Sequence, residues 1–317
     1  MDQGTESTRR PARARAMAAV ITATLVGVCG CGQPAGRAET ASPPSPASTS
    51  ERSATPAATG ERAGLPAPDT KIPKDASKLA RSLKDTTRAL HAAVDAWTGD
   101  GDPSRGGPPE PVVLLALHQQ RIYRFAARHP GPASRAFGEL AAPLAGEARD
   151  NTEAIRELLS LAHPLKGSAT FKVQRPLPAG VLLGQFKKAE RRFGVEWEVL
   201  AAVMLVETKF GRVRSASYAG AQGPMQFMPA TWKAYGMGGD IQDPEDAIAG
   251  AANYLRASGA PRDYKRALHA YNPSNAYVNA VLLHARQMKR DSRNYYAYYN
   301  WQVFVLTTNG ERRLTGP

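Results

Sequence analysis

The chain has little cysteine: two in 317 residues, Cys29 and Cys31, separated by one glycine. They are too near each other for a structural disulfide, and no third thiol exists to pair with either. The fold therefore has neither a disulfide framework nor a thiolate zinc site. The six histidines are scattered without ligand spacing, so no metal is expected. No apolar run approaches the ~20 residues that a spanning helix needs. Acidic residues are also scarce. Asp and Glu number 28 against 41 Lys and Arg, for a formal net charge of +13. Such a surface suits an anionic neighbour, whether nucleic acid, anionic lipid or an acidic wall, and charge alone does not choose among them.

The N-terminus narrows that choice. Arg9, Arg10, Arg13 and Arg15 precede an apolar run from Met17 to Val28. A basic region followed by a short apolar one predicts a secretory signal over residues 1–31. Export disfavours nucleic acid as a partner. The stretch Val28-Cys29-Gly30-Cys31 resembles a bacterial lipobox, with Cys31 as the candidate lipidated residue and Cys29 as the alternative. A lipid there would anchor the protein to the cell membrane, facing the wall, without spanning it. Plain cleavage and free secretion is the other outcome. Residues 32–74 are rich in Pro, Ala, Ser and Thr and offer few side chains for a core, which predicts a disordered tether.

Helical periodicity begins near Asp75. Leu79, Leu83, Leu90, Val94 and Trp97 recur at close to helical spacing. A second helix runs through Val112, Leu115, Ile122 and Phe125, and a third from about Ala133 to Leu161. Residues 75–165 form an accessory helical region whose apolar positions are read as packing. Pro176-Leu177-Pro178 marks the entry to a second unit, 176–290, a series of helices with short loops. Residues 291–317 are an aromatic extension. In it Val303-Phe304-Val305-Leu306 before Asn309-Gly310 predicts a short β segment, and Tyr295 to Trp301 are read as packing surface. The fold class is mainly α.

Three elements of the second unit carry chemistry. Leu200, Val203, Met204 and Glu207 lie three and four apart, which puts an acid on an apolar helical face. Gly211 suggests that this helix ends just after Glu207. Burial and the negative end of the helix dipole both disfavour a carboxylate, so both raise its pKa toward that of a general acid. The bland alternative is a surface glutamate near Lys209 and Arg212. Next, Gly220-Ala221-Gln222-Gly223-Pro224-Met225-Gln226-Phe227-Met228-Pro229 is too rich in Gly and Pro for an element interior and predicts a tight loop. Then Tyr271-Asn272-Pro273 turns the chain into a further helix. In isolation Tyr271 is equally a packed core tyrosine.

Together these pieces resemble the lytic transglycosylases, which share a lysozyme-like fold. The pieces are Val206-Glu207-Thr208-Lys209-Phe210-Gly211, the loop from Gly220 to Pro229, Asp243 to Leu255, and Tyr271-Asn272. The first and third look closest to the membrane-bound members; the Gly-Pro-Met-Gln stretch also looks like the soluble type. The resemblance covers about a third of the chain. It implies an enzyme that cleaves the β-1,4 bond between N-acetylmuramic acid and N-acetylglucosamine in peptidoglycan and leaves a 1,6-anhydro end. It makes Glu207 the catalytic acid and then base. It makes Thr208, Tyr218, Gln222, Gly223, Met225, Gln226, Phe227, Tyr271 and Asn272 the substrate-binding residues, with Tyr271 orienting Glu207 or the sugar. It requires no cofactor. Some members carry a calcium loop before the helix at Asp243; here Gly236 to Asp243 is too short and too poor in oxygen ligands for one. A lysozyme-like muramidase, or a non-catalytic wall-binding lipoprotein, are the competing readings.

Overall fold

A computed structural model of the chain describes residues 64–165 and 171–314. The stretch expected to be a secretory leader, with Cys29 and Cys31, and residues 32–63 of the expected tether lie outside the described residues. The expectation of a disordered tether fails for residues 64–74. Residues 64–74 lie on the body, where Leu65 and Ile72 pack against the core. Arg121 also donates to the carbonyls of Thr70 (2.7 Å) and Asp69 (3.4 Å). Two apolar side chains and a run of backbone carbonyls within reach of one arginine were enough to hold it.

Eleven helices and one two-stranded antiparallel sheet make up the described residues. The first four are α1 (Ala76–Gly99), α2 (Glu110–Arg128), α3 (Pro130–Gly138) and α4 (Ala142–Ser160). The Asp75 side chain caps α1 by accepting from the Lys78 N–H. The third helix expected from sequence is in fact two. Glu139-Leu140-Ala141 interrupts it, and Pro143 then sits in the first turn of α4, where its missing N–H costs nothing.

The second unit holds α5 (Ala179–Phe193), α6 (Trp197–Thr208), α7 (Pro229–Tyr235), α8 (Pro244–Ser258), α9 (Tyr264–Tyr271) and α10 (Asn275–Arg290). Asp243, Asp263 and Ser274 cap α8, α9 and α10 through their side chains. The aromatics read as packing surface form α11 (Arg293–Tyr299), buried at Tyr295, Tyr298 and Tyr299. The strands β1 (Phe304–Thr307) and β2 (Gly310–Arg313) follow, with Phe304 opposite Arg313 and Thr307 opposite Gly310.

One apolar core runs through both helical units. α10 lies between α4 on one side and α6 on the other, so the N-terminal helices complete the packing of the second unit. A second, smaller core of Leu165, Val213, Val303 and Val305 ties the hairpin to two loop segments. Leu165 N–H donates to Leu306 C=O (2.9 Å), and Arg214 N–H to Lys172 C=O (2.8 Å).

Candidate active site around Glu207

Helix α6 is buried on every side from Val199 to Thr208, not along one stripe. Its composition explains this. Val199 to Val206 is an unbroken apolar run, and a helix that is apolar all round belongs in a core. Glu207 sits in its last turn at 4 % exposure. The bland reading as a solvated surface charge is thereby excluded. Burial pushes its carboxyl up to about 8, against smaller opposing contributions from Tyr277 and Lys209. The Tyr277 hydroxyl faces the carboxyl, yet neither it nor Glu207 Oε2 completes a hydrogen bond of good geometry.

The helix ends at Thr208, just after Glu207 as Gly211 suggested. Lys209 is already left-handed (φ 53°), followed by Phe210 (φ 59°) and Gly211 (φ 83°). Phe210 N–H bonds back to Met204 C=O (3.2 Å), six residues away, and closes the end of the helix. Left-handed conformation in non-glycine residues costs on the order of 1 kcal/mol or more each. Among the described residues four such positions occur, and three of them, Lys209, Phe210 and Gln226, lie in the two segments beside Glu207.

The loop from Gly220 to Pro229 is tight, as its composition predicts. Gln222 and Phe227 exchange backbone hydrogen bonds (2.9 and 2.8 Å) and close a four-residue turn. Gly223 at its start has φ 74°, and a Cβ there would lie 1.9 Å from the Ile241 carbonyl oxygen, so only glycine fits. Thr208 ties this loop to α6. Its hydroxyl donates to Pro224 C=O (2.6 Å) and accepts from Gly211 N–H (2.9 Å).

Tyr271 does not donate to Glu207. Its hydroxyl goes to Met225 C=O (2.6 Å), so it anchors the loop rather than the acid, because the carbonyl is within reach and would otherwise be buried without a donor. Phe227 packs edge-on against Tyr271 and Trp232. Thr208, Met225, Gln226, Phe227, Tyr271 and Asn272 are thus brought together, all buried. Gln226 Oε1 and Asn272 Nδ2 have no partner there. Gln222 and Gly223 serve through their backbones. Tyr218 stands apart: it is 75 % exposed at a turn and lines no cavity at Glu207.

Glu207 borders a cavity of about 90 Å³. Most of its other walls come from outside the second unit. α2 supplies Gln120 and Arg124, α4 supplies Leu158 and Leu159, and the hairpin supplies Phe304 and Leu306. Sequence reasoning missed these because they are distant in the chain. It also missed Tyr277, although its place on the apolar face of α10, six residues after Tyr271, was a usable signal. Lys209 lines the same cavity, with its ammonium turned back to Leu205 C=O (2.8 Å). Among the described residues no group of three or more His, Cys, Asp or Glu could hold a metal, and no helix is long and apolar enough to cross a membrane.

Residues 184–294 match the family model of the transglycosylase SLT domain, found in lytic transglycosylases of the lysozyme-like superfamily, which act on peptidoglycan. No solved structure matches the chain.

Proposed function

We propose that this chain, which carries a transglycosylase SLT domain over residues 184–294, is a peptidoglycan lytic transglycosylase with Glu207 as its acid and then its base. The observation that carries the proposal is the buried carboxyl of Glu207, held protonated at neutral pH at the end of α6. Glu207 gives that proton to the glycosidic oxygen between N-acetylmuramic acid and N-acetylglucosamine, and the C1–O bond breaks. The muramyl acetamido group stabilises the positive C1. Glu207, now a carboxylate, takes the proton from the C6 hydroxyl, and O6 closes on C1 to give the 1,6-anhydro sugar. The proton returns to Glu207, and no water is consumed.

A hydrolase of the ordinary two-carboxylate kind needs a second acid some 5–10 Å away. The match to the transglycosylase SLT domain, and not the lining of the small cavity beside Glu207, favours the internal nucleophile. Thr208, Tyr271 and Gly223 act by setting the loop against α6, and Gln226 and Asn272 offer unpaired polar groups to the sugar. The leader and the Val28-Cys29-Gly30-Cys31 stretch support an exported protein tethered through Cys31, with the wall as its substrate.

Mass spectrometry of fragments released from purified sacculi tests the reaction. Muramyl ends lighter by one water are expected; ends carrying the full water mean a muramidase, and no release at all means a binding protein. Glu207→Gln is expected to lower the rate at least a hundredfold, roughly the contribution of a positioned acid.

A further inference from the structure

The cavity beside Glu207 is the wrong size and the wrong chemistry for a sugar ring. A cavity of about 150 Å³ takes one benzene, and this one measures about 90 Å³. Its walls are mostly aliphatic and aromatic, whereas a sugar ring asks for hydrogen-bonding groups around its edge. What fits is a branch of a few heavy atoms, part apolar.

The charges facing the cavity select the rest of that branch. Glu207, Lys209, Arg124, His163 and His284 are the titratable groups that line it. Arg124 and Arg128 (2.7 Å) share the single carboxylate of Glu311, so that cluster keeps one net positive charge, though both guanidiniums are held on Glu311. Burial drives His284 down to about 3, so it is neutral. Lys209 forms no salt bridge among the described residues, and one of its three ammonium protons is used, on Leu205 C=O. Burial lowers the Lys209 ammonium to about 8, so near neutral pH it is charged, and with Glu207 protonated the walls carry a poorly hydrated positive charge. The bond to Leu205 C=O fixes where that ammonium lies. An anion is the natural occupant.

Building on the transglycosylase reading, we propose that this cavity is a side pocket for the lactyl arm of N-acetylmuramic acid, with Lys209 pairing its free carboxylate. The arm is a propionate-sized branch on C3 of the ring whose C1 reacts. Its methyl suits the apolar walls and its carboxylate suits Lys209. That carboxylate is free only when the stem peptide has been removed. With the stem attached it is an amide, and a peptide must follow it, for which the cavity has no room. The enzyme therefore prefers glycan from which an amidase has already cut the stems, which places it after that class of reaction.

The test offers stem-free strands and stem-bearing strands to the purified protein and reads the ratio of the two kcat/KM values. A ratio of about ten or more in favour of stem-free strands is expected, the worth of a charge-assisted contact. Lys209→Met is expected to bring the ratio toward one, and Lys209→Arg to keep most of it. D-lactate is expected to inhibit the wild type competitively on stem-free strands, which decides the matter even if Lys209→Met does not fold. A wild-type ratio of one or below, an unchanged ratio in Lys209→Met, or no inhibition by D-lactate would overturn the pocket assignment. Equal cleavage of both strands leaves the transglycosylase standing and removes only the pocket. Cleavage of neither strand, with no anhydro ends, sinks the activity itself.

Discussion

Glu207 is an acid whose proton is kept by its surroundings, and this has two consequences that separate cleanly by pH. Burial holds its folded carboxyl at about 8, well above the 4.5 of an exposed glutamate. The proposed reaction begins from the protonated form, so activity is expected to fall as pH passes through about 8. The second consequence is linkage. Between the unfolded and the folded value the native state holds a proton that the unfolded chain has lost, so stability declines as pH rises through that window. Glu207→Gln removes this penalty. Its gain in melting temperature over the wild type is expected to be larger at pH 8 than at pH 5, and equal gains at both would contradict the buried proton. Glu147, held at about 7 chiefly by burial, acts in the same direction and remains in both proteins, so the comparison isolates Glu207. Thr208 makes a different kind of contribution. Its hydroxyl donates to Pro224 C=O and accepts from Gly211 N–H, both buried. Thr208→Val keeps the shape and strands both groups, a loss of about 1–3 kcal/mol, readable by denaturant titration. Thr208→Ser should recover most of it. Thr208 was legible in the sequence only as a hydroxyl beside the acid. That it serves the loop and not the sugar depends on where Pro224 lies, which no spacing encodes.

At the scale of elements, the hairpin β1–β2 is the roof over Glu207, and it is held by few contacts. Gln120 and Gln302 exchange hydrogen bonds (both 2.9 Å) at its root. Arg124 and Arg128 converge on Glu311 at its far strand. Burial alone would raise the Glu311 carboxyl, but the two arginines overrule it and hold it below its ordinary value. The docking energy they supply is therefore present above the usual glutamate range and is lost as pH falls through the depressed folded value. Glu311→Gln leaves two partly buried cations with a neutral partner. Amide exchange over residues 303–314 is expected to speed up in that variant while α6 stays protected; unchanged exchange in the hairpin would show that the small core of Val213, Val303 and Val305 holds it unaided. The strand was readable from β-branched residues before an Asn-Gly turn, and α8 from Asp243 and Pro244 at its start. The run Tyr295 to Tyr299, read as packing surface, is indeed buried; that it is a helix was not legible, because tertiary packing overrides the strand preference of aromatic residues. Here Tyr295 and Tyr299 hydroxyls reach Ala179 C=O and Leu177 C=O, contacts that a helix allows and that local sequence does not reveal.

The whole molecule is more integrated than its motif map. Every residue that singled out the site in the sequence falls between Leu200 and Asn272, and the family match spans 184–294. Such motifs are local, so they were legible. The partners of the site were not, since Arg124, Leu158 and Phe304 have no signature beyond being apolar or basic on a helix or strand. Yet the physical unit is larger than the match. α10 presents one side to α6 and the other to α4, and its buried set includes Tyr277, Val281, His284 and Met288. Tyr298 on α11 reaches Asn151 on α4 (2.7 Å), so a buried polar pair as well as apolar contacts bridges the N-terminal helices to the rest. Cutting the chain back to residues 176–290 would uncover the part of α10 that packs on α4 and remove α11, whose Tyr295 and Tyr298 are fully buried in the shared core. Exposed apolar surface costs about 25 cal/mol per Å², and a domain has only some 5–15 kcal/mol of net stability to lose. An excised 176–290 segment is therefore expected to show no cooperative thermal transition and no activity on sacculi. Residues 64–314 are expected to melt in one step and to cut. A sharp, full-amplitude melt of 176–290 alone would mean that the N-terminal helices are an appendage, and the walls they lend to the Glu207 cavity would then have to be explained as specificity rather than as part of the fold.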